Sequence, residues 1–307
     1  MRKLNRIYIL LSFVLALGIF SACSKEGMLD DFAAAGESPK YYKPLLDIYV
    51  VRGGTQGFVL PVGETSADVF LRKAFAYGPD SVNPGLTQAG LAYYENTIRV
   101  FYISGAGIPG TGYEDLFYYL AGQSSFNLVN EAGTLTGGTV TIDPGRQRVF
   151  FLKYSLEYGV AGLSTVGYPS CWDNATCKKE MTVLIFSSPT NAASYYYGNL
   201  KRMSEVVIHE FGHYYGLFHN FDQQSGVDLS CKYAPQGSTN RYMDYTYNPE
   251  VFIPCEALIT QYNASLLLGE KVLFTKGDSF YDFRPAEKVK FTVNYVDRPH
   301  ETLWKSE

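Results

Sequence analysis

Eleven consecutive residues restrict the folds open to this chain more than any other feature of its sequence. They read HEFGHYYGLFH, from His209 to His219, and contain three of the four histidines in the protein. Residues four apart lie on the same face of a helix, so His209 and His213 can direct their imidazoles at one ion, with Glu210 in reach of a water bound to that ion. Because a straight helix would carry a third histidine past the ion, Gly216 is expected to end the helix in the left-handed conformation and to let His219 return as the third ligand.

The pattern matches H-E-x-x-H-x-x-G-x-x-H at all of its fixed positions and resembles the zinc site of the metzincin peptidases. A second segment, NRYMDY from Asn240 to Tyr245, resembles the methionine turn of the pappalysin-type members of that family. The resemblance implies an α+β fold with a mixed twisted sheet, an active-site helix and a C-terminal subdomain that carries the methionine turn. It also implies that Met243 forms a hydrophobic floor under the three imidazoles. Tyr245 would stand near the metal, where it binds zinc or supports the transition state.

The function implied by this resemblance is that of a zinc-dependent endopeptidase acting on protein or peptide substrates. One Zn²⁺ would be held by His209, His213 and His219, and Glu210 would be the general base for the attacking water. Two other classes stay open. The chain could be a catalytically inactive metzincin-fold lipoprotein that acts as a binding protein, or a structural envelope protein whose histidines are core residues. A packed aromatic is the alternative for Tyr245, because the chain contains 26 tyrosines.

The N-terminus has the organisation of an export signal. Three positive charges among the first six residues precede an apolar or small run from Ile7 to Phe20, and Ala22 and Cys23 follow. Such a segment is typical of a secretory signal peptide rather than of a membrane-spanning helix. Its ending resembles a bacterial lipobox, which implies a signal peptide over residues 1–22, a lipid on Cys23 and anchoring in the cell envelope, in the outer membrane with a periplasmic or surface-exposed position. Ordinary secretion with cleavage near Ala22 is the alternative.

Composition and charge argue against an intrinsically disordered chain and against a nucleic-acid-binding protein. Hydrophobic residues make up 46% of the chain and charged residues 18%, so most of it is expected to fold around a sizeable core. A net charge of −4 without a basic cluster argues against a nucleic-acid partner. Membrane contact is expected through the lipid anchor. We expect a flexible tether at 23–44, a β-rich accessory piece or a prosegment at 45–105, and the metzincin-like catalytic domain at 106–307.

Four cysteines remain if Cys23 carries a lipid. An even number in an exported chain suggests two disulfides, and the sequence allows three pairings. The pairing of sequence neighbours is favoured, namely Cys171 with Cys177 and Cys231 with Cys255. The alternatives are a thiolate at Cys171 that blocks the metal in a latent form, and a cysteine zinc site, although the spacings lack the paired C-x₂-C units of such sites.

Local patterns predict the elements around the motif. Strands are predicted at Leu46–Val51, Thr97–Ile103, Thr139–Ile142, Val149–Tyr154 and Thr182–Phe186. Helices are predicted at Ala67–Tyr77, Tyr113–Ala121, Leu200–Tyr215 and Glu256–Leu268. Gly137 and Gly138 are expected to lie in a loop. Asp222 and Asp228 are candidate calcium ligands, and a plain solvated loop is the favoured alternative for both.

Overall fold

The computed structural model describes residues 41–61, 63–110, 112–153, 160–167, 181–187, 200–224, 227–228, 233–245, 249–268 and 300–303. The predicted signal peptide, Cys23 and the tether up to residue 40 lie outside these residues, as do Cys171, Cys177, Cys231 and the side chain of Cys255. Lipidation and disulfide pairing therefore stay predictions. Within the described ranges, no helix is both long and apolar enough to cross a membrane.

The described chain contains ten strands and five α-helices. The strands are β1 (Leu46–Arg52), β2 (Ile98–Ser104), β3 (Ser125–Val129), β4 (Leu135–Thr141), β5 (Gln147–Lys153), β6 (Val160–Ser164), β7 (Val183–Ser187), β8 (Gln223–Gln224), β9 (Val227–Asp228) and β10 (His300–Leu303). The helices are α1 (Ala67–Ala76), α2 (Asn83–Leu86), α3 (Tyr113–Gly122), α4 (Leu200–Tyr214) and α5 (Pro254–Leu268), with short 3₁₀ turns at Thr87–Ala89 and Glu95–Thr97.

A mixed sheet lies at the centre of the fold, in the order β10-β6-β7-β5-β1-β2-β3-β4, and the predicted α+β class is confirmed. The inner strands β2, β1, β5 and β7 are parallel, whereas β6, β10, β3 and β4 run antiparallel to their neighbours. Parallel strands covered on both faces read as continuous apolar runs, as β1 does. Its residues Ile48 and Val50 pack with α1 and α4 on one face, and Tyr49 and Val51 pack with α3 on the other.

Residues 45–105 contribute to the same sheet and to the support of α4. Strand β1 lies in the interior of the sheet, between β2 and β5. Helices α1 and α2 pack against α4. At Gly85 of α2 the approach is very close, since a Cβ there would lie 2.6 Å from Cδ1 of Ile208 and 2.7 Å from the hydroxyl of Tyr242. Residues 45–105 are therefore in direct contact with α4, which carries the first part of the histidine motif, and with Tyr242, the residue before Met243.

Helix α4 carries the first part of the histidine motif and lies inside the protein. Every residue from Arg202 to Tyr214 is buried, and the helix packs on β6, β7 and α1. A surface helix would keep one polar face in water. Here the buried polar residues include the ion pair between Arg202 and Glu205, together with His209, Glu210 and His213. Polar side chains buried in this number on one helix indicate a functional site rather than packing.

The elements predicted from local patterns are present, with ends that differ by a few residues, but five of the described strands were not among them. These are β3, β6, β8, β9 and β10. The loop prediction for Gly137 and Gly138 was wrong, because both residues lie in β4. Gly137 has a φ of +79°, and the pairing of β4 with β3 shifts register between Asn127 and Val129. The glycines therefore mark an irregularity in an edge strand, which a sequence pattern does not distinguish from a loop.

Candidate metal centre

The three histidines of the motif meet at one buried point. His209 and His213 lie one turn apart on α4, and His219 comes from the segment that follows the helix. Nε2 of His213 lies 3.1 Å from Nε2 of His209 and 3.2 Å from Nε2 of His219. The three residues are at most 2% exposed. The structure thus brings together the three histidines that the motif predicts as metal ligands.

The opposite ring nitrogens of these histidines face hydrogen-bond acceptors. Nδ1 of His209 lies 2.5 Å from the carbonyl oxygen of Tyr242, and Nδ1 of His213 lies 2.8 Å from that of Leu217. Nδ1 of His219 lies 3.0 Å from Oδ2 of Asp222. A carbonyl or a carboxylate only accepts, so each Nδ1 carries the proton and donates it. Each Nε2 is left with a lone pair directed at the shared point.

This arrangement fits a bound transition metal. Three lone pairs cannot hydrogen-bond to one another, and a cation between them removes the repulsion that their proximity creates. Zinc–imidazole bonds of about 2.0–2.1 Å in tetrahedral geometry separate the nitrogens by roughly 3.3 Å, close to the observed spacings. Burial lowers the pKa of His209 to about 4, so its imidazole is neutral near pH 7, as a metal ligand must be. Acceptors on the far ring nitrogen are the usual way in which ligating imidazoles are oriented.

Met243 lies fully buried against the motif helix. A Cβ on Gly212 would overlap its Sδ atom, so only glycine at this helical position leaves room for the methionine. The carbonyl of Met243 accepts a hydrogen bond from the backbone N–H of Asn220, next to His219, at 3.0 Å. Met243 therefore contacts the helix that carries two of the histidines, and its carbonyl holds the segment that carries the third. The hydrophobic floor under the imidazoles, which the methionine-turn resemblance implies, stays a prediction.

Asp244 holds the turn around Met243 in place. Its buried carboxylate accepts hydrogen bonds from the backbone N–H groups of Gly237, Thr239 and Tyr245 at 2.6–2.8 Å, and one from the Thr239 hydroxyl at 2.8 Å. A carboxylate with several backbone donors is well satisfied even without solvent. Sequence reasoning did not assign Asp244 a role, because its donors are identified only once the loop has folded.

Tyr245 stands beside the histidines, as predicted. Its ring centroid lies 4.7 Å from that of His219 and 5.9 Å from that of His209. Phe221 stacks on the imidazole of His219, with centroids 4.8 Å apart and planes 4° apart, and also contacts Tyr245. The aromatic rings therefore restrict the orientation of the third ligand.

Gly216 ends the helix in the predicted way. Its φ is +92°, and a Cβ at this position would lie 2.6 Å from the carbonyl oxygen of Gly167 and 2.6 Å from Nδ2 of Asn263. Asn263 of α5 donates a hydrogen bond to the carbonyl of Tyr215 at 2.7 Å, and Gly167 donates to the carbonyl of His213 at 3.0 Å. The last carbonyls of α4 are thus satisfied by partners from two other parts of the chain.

Asp222, a candidate calcium ligand for which a plain solvated loop is the favoured alternative, is hydrogen-bonded to His219. Its Oδ2 accepts from Nδ1 of His219 and from the backbone N–H of the same residue, both at 3.0 Å. It therefore supports the third histidine. The side chain of Asp228 lies outside the described residues. The sequence offered a usable signal for Asp222, since a carboxylate three residues after a histidine ligand can reach back to it.

Glu210, the residue after His209, is completely buried. Its side chain lies against the backbone of Gly162 in β6. Sequence reasoning identified Glu210 from the motif but did not identify Gly162 as its neighbour, because the two residues belong to different elements.

No family model matches this sequence, and no curated protein sequence matches it. Among solved structures, the chain is similar to mature mirolysin of Tannerella forsythia in complex with a cleaved peptide, with 13% identity and a TM-score of 0.42 over 72% of this chain and 90% of that chain. It is also similar to mirolysin in complex with compound 9, with 12% identity and a TM-score of 0.42 over 75% of this chain and 96% of that chain. At such low identities, the chemistry has to be inferred from the geometry of the site.

Proposed function

We propose that this chain is a zinc-dependent endopeptidase of the bacterial cell envelope. The observation that carries the proposal is the convergence of three Nε2 lone pairs on one buried point, with the buried carboxylate of Glu210 next to the first ligand in sequence. Three protein ligands leave one tetrahedral position open, which is typical of catalytic rather than structural zinc sites. The extended histidine motif together with a buried methionine beneath the helix is the combination found in metzincin peptidases.

In the proposed reaction, His209, His213 and His219 hold the metal. Bound zinc supplies a Lewis acid and lowers the pKa of a coordinated water to about 7. Glu210 accepts a proton from the water that attacks the peptide carbonyl and later donates it to the leaving amine as the carbon–nitrogen bond breaks. Tyr245 donates a hydrogen bond to the oxyanion formed at the carbonyl carbon. Asp222 and Phe221 hold the imidazole of His219 in a fixed orientation while the charge at the carbonyl changes.

The proposed location follows from the N-terminal sequence. Residues 1–22 would act as a signal peptide, Cys23 would carry the lipid, and residues 24–44 would connect the lipid to the fold. Substrates would then be proteins or peptides of the envelope or its surroundings.

We also propose that residues 45–105 are part of the catalytic domain and not a removable prosegment. The interior position of β1 and the contacts of Gly85 with Ile208 and Tyr242 support this.

The experiment that tests the proposed function measures metal content and peptidase activity together. The chain from Ser24 onward, expressed with Cys23 omitted, should bind one zinc ion and cleave members of a peptide library, and a chelator should abolish cleavage. The matched variant Glu210→Gln keeps the size of the side chain but removes the base. It should retain zinc and lose activity by about 10²–10⁴-fold.

Two results would overturn the proposal. A folded chain without stoichiometric metal would show that the histidines have a packing role. Equal turnover by the parent chain and by Glu210→Gln, at equal zinc content, would show that Glu210 is not the base. Zinc binding without any cleavage would instead favour a binding protein that has kept the metal site.

A further inference from the structure

We propose that Gly162 is a positioning residue for Glu210, and that a glycine is needed at this place in β6 to seat the catalytic carboxylate. The inference rests on the proposed function and adds to it the strand position against which the general base lies. Gly162 is buried in β6, the strand on which α4 packs. Its backbone pairs with Ile185 of β7, so its position is fixed by the sheet.

Space, and not backbone conformation, explains the glycine. Gly162 does not have the positive φ that favours glycine, so an alanine could adopt its backbone conformation without strain. A Cβ at this position would nevertheless lie 2.7 Å from Cγ, 2.9 Å from Cδ and 2.8 Å from Oε1 of Glu210. All three of the nearest atoms belong to the same side chain. The single methyl group that distinguishes alanine from glycine would therefore overlap the Glu210 side chain, including its carboxylate.

The consequence of this contact differs from that of an ordinary core substitution. The overlapping atoms form the end of a flexible side chain, which can move without distorting the sheet. Ordinary van der Waals contact begins near 3.4 Å, so the Glu210 side chain would have to move by roughly 0.7 Å or more. A catalytic group displaced by about 1 Å can cost on the order of 10²-fold in rate. We therefore expect a large effect on turnover and a small effect on the fold.

The test compares the chain with its Gly162→Ala, Glu210→Gln and Gly162→Ala/Glu210→Gln variants, each loaded with zinc. Gly138→Ala is the matched control, because Gly138 also lies in a strand without positive φ and a Cβ there would meet its nearest atom at 3.5 Å. Gly162→Ala should bind one zinc ion and lose about 10–100-fold in kcat with little change in KM. It should cause no further loss in the Glu210→Gln background. Gly138→Ala should retain the parent activity.

A second measurement on the zinc-free chain does not depend on activity. Gly162→Ala should lower the thermal midpoint by a few degrees in the parent chain, because Glu210 has to move. In a Glu210→Ala background the overlapping atoms are gone, so the same substitution should leave the midpoint unchanged or raise it. This pair of variants also covers the case in which Gly162→Ala alone fails to fold.

The outcomes separate the inference from the proposed function. If the parent chain cleaves no peptide, or Glu210→Gln is as active as the parent, the proposed function fails. If Glu210→Gln is inactive as expected but Gly162→Ala keeps the parent kcat, the role of Gly162 is refuted. It is refuted equally if the thermal shift caused by Gly162→Ala is the same with and without the Glu210 side chain.

Discussion

Replacing Gly216 by alanine should destabilise the end of α4 for two reasons. The first is conformational, because a φ of +92° is unfavourable for any residue with a Cβ. The second is steric, because the new Cβ would lie 2.6 Å from the carbonyl oxygen of Gly167 and 2.6 Å from Nδ2 of Asn263. The Gly167 oxygen belongs to the backbone and cannot rotate away.

The magnitude of the effect follows from these two terms. A left-handed alanine costs about 1–2 kcal/mol, and forcing a methyl group into a packed interior costs typically about 1–3 kcal/mol. The free energy of unfolding should therefore fall by about 2–5 kcal/mol, which lowers the melting temperature by roughly 3–8 °C in a chain of this size. His219 follows three residues later, so zinc affinity should fall by on the order of tenfold or more.

The assay is thermal unfolding of the zinc-free chain, followed by zinc titration in competition with a chromophoric chelator. Gly78→Ala is the control, since Gly78 also has a positive φ, of +86°, but no atom lies within 4 Å of a Cβ built there. It should show only the conformational cost and should bind zinc as the parent does. If Gly216→Ala is no less stable than Gly78→Ala and binds zinc with parent affinity, the contacts at the helix end do not have the role described here.

Three further predictions concern the side chains around the histidines. Asp222→Ala removes the acceptor for Nδ1 of His219 and should weaken zinc binding by about 10–100-fold; an unchanged dissociation constant in chelator competition would contradict this. Tyr245→Phe should bind zinc normally but lose on the order of 10²-fold in kcat, and equal kcat values would show that the hydroxyl does not contact the oxyanion. Burial lowers the pKa of His209 from 6.5 to about 4, so His209 is protonated at a higher pH in the unfolded chain than in the folded chain. The free energy of unfolding of the zinc-free chain should therefore fall by about 3 kcal/mol from this residue as the pH falls from 6.5 to 4. Urea unfolding at several pH values checks this, and His209→Gln should have a shallower pH dependence than the parent.

The convergence of the three histidines could be predicted from the sequence because it depends on local geometry. His209 and His213 lie on one helical face by spacing alone, and Gly216 marks the point at which the chain turns. The buried strands could be predicted for a similar reason, since a run such as that of β1 reports burial on both faces without any knowledge of the neighbours. In each case a single segment contains the information that determines its structure.

The groups that orient the ligands could not be predicted in this way. Gly162 is required by a side chain on another element, and Asp244 by N–H groups that converge only when the loop closes. Local patterns did not predict strand β6 for a related reason, because its short, glycine-containing sequence has a weak strand signal and its pairing with β7 and β10 is what defines it. Contacts between distant segments produce no periodic pattern in the sequence. Most of the residues that surround and orient the three histidines are placed by such contacts.

The origin of the three Nδ1 acceptors has a consequence for how the protein would obtain its metal. Leu217 lies within the histidine motif, but Asp222, Tyr242 and the Asn263 that closes the helix end lie outside it, so a peptide that contains only the motif would lack most of the groups that orient the histidines. The histidine cluster is therefore expected to need the folded chain around it, including the sheet on which α4 packs. Imidazole sites bind several first-row ions, with copper favoured over zinc by intrinsic affinity. A chain exported before folding would consequently take its ion from the compartment in which it folds, and the metal supply of that compartment would decide which ion it carries.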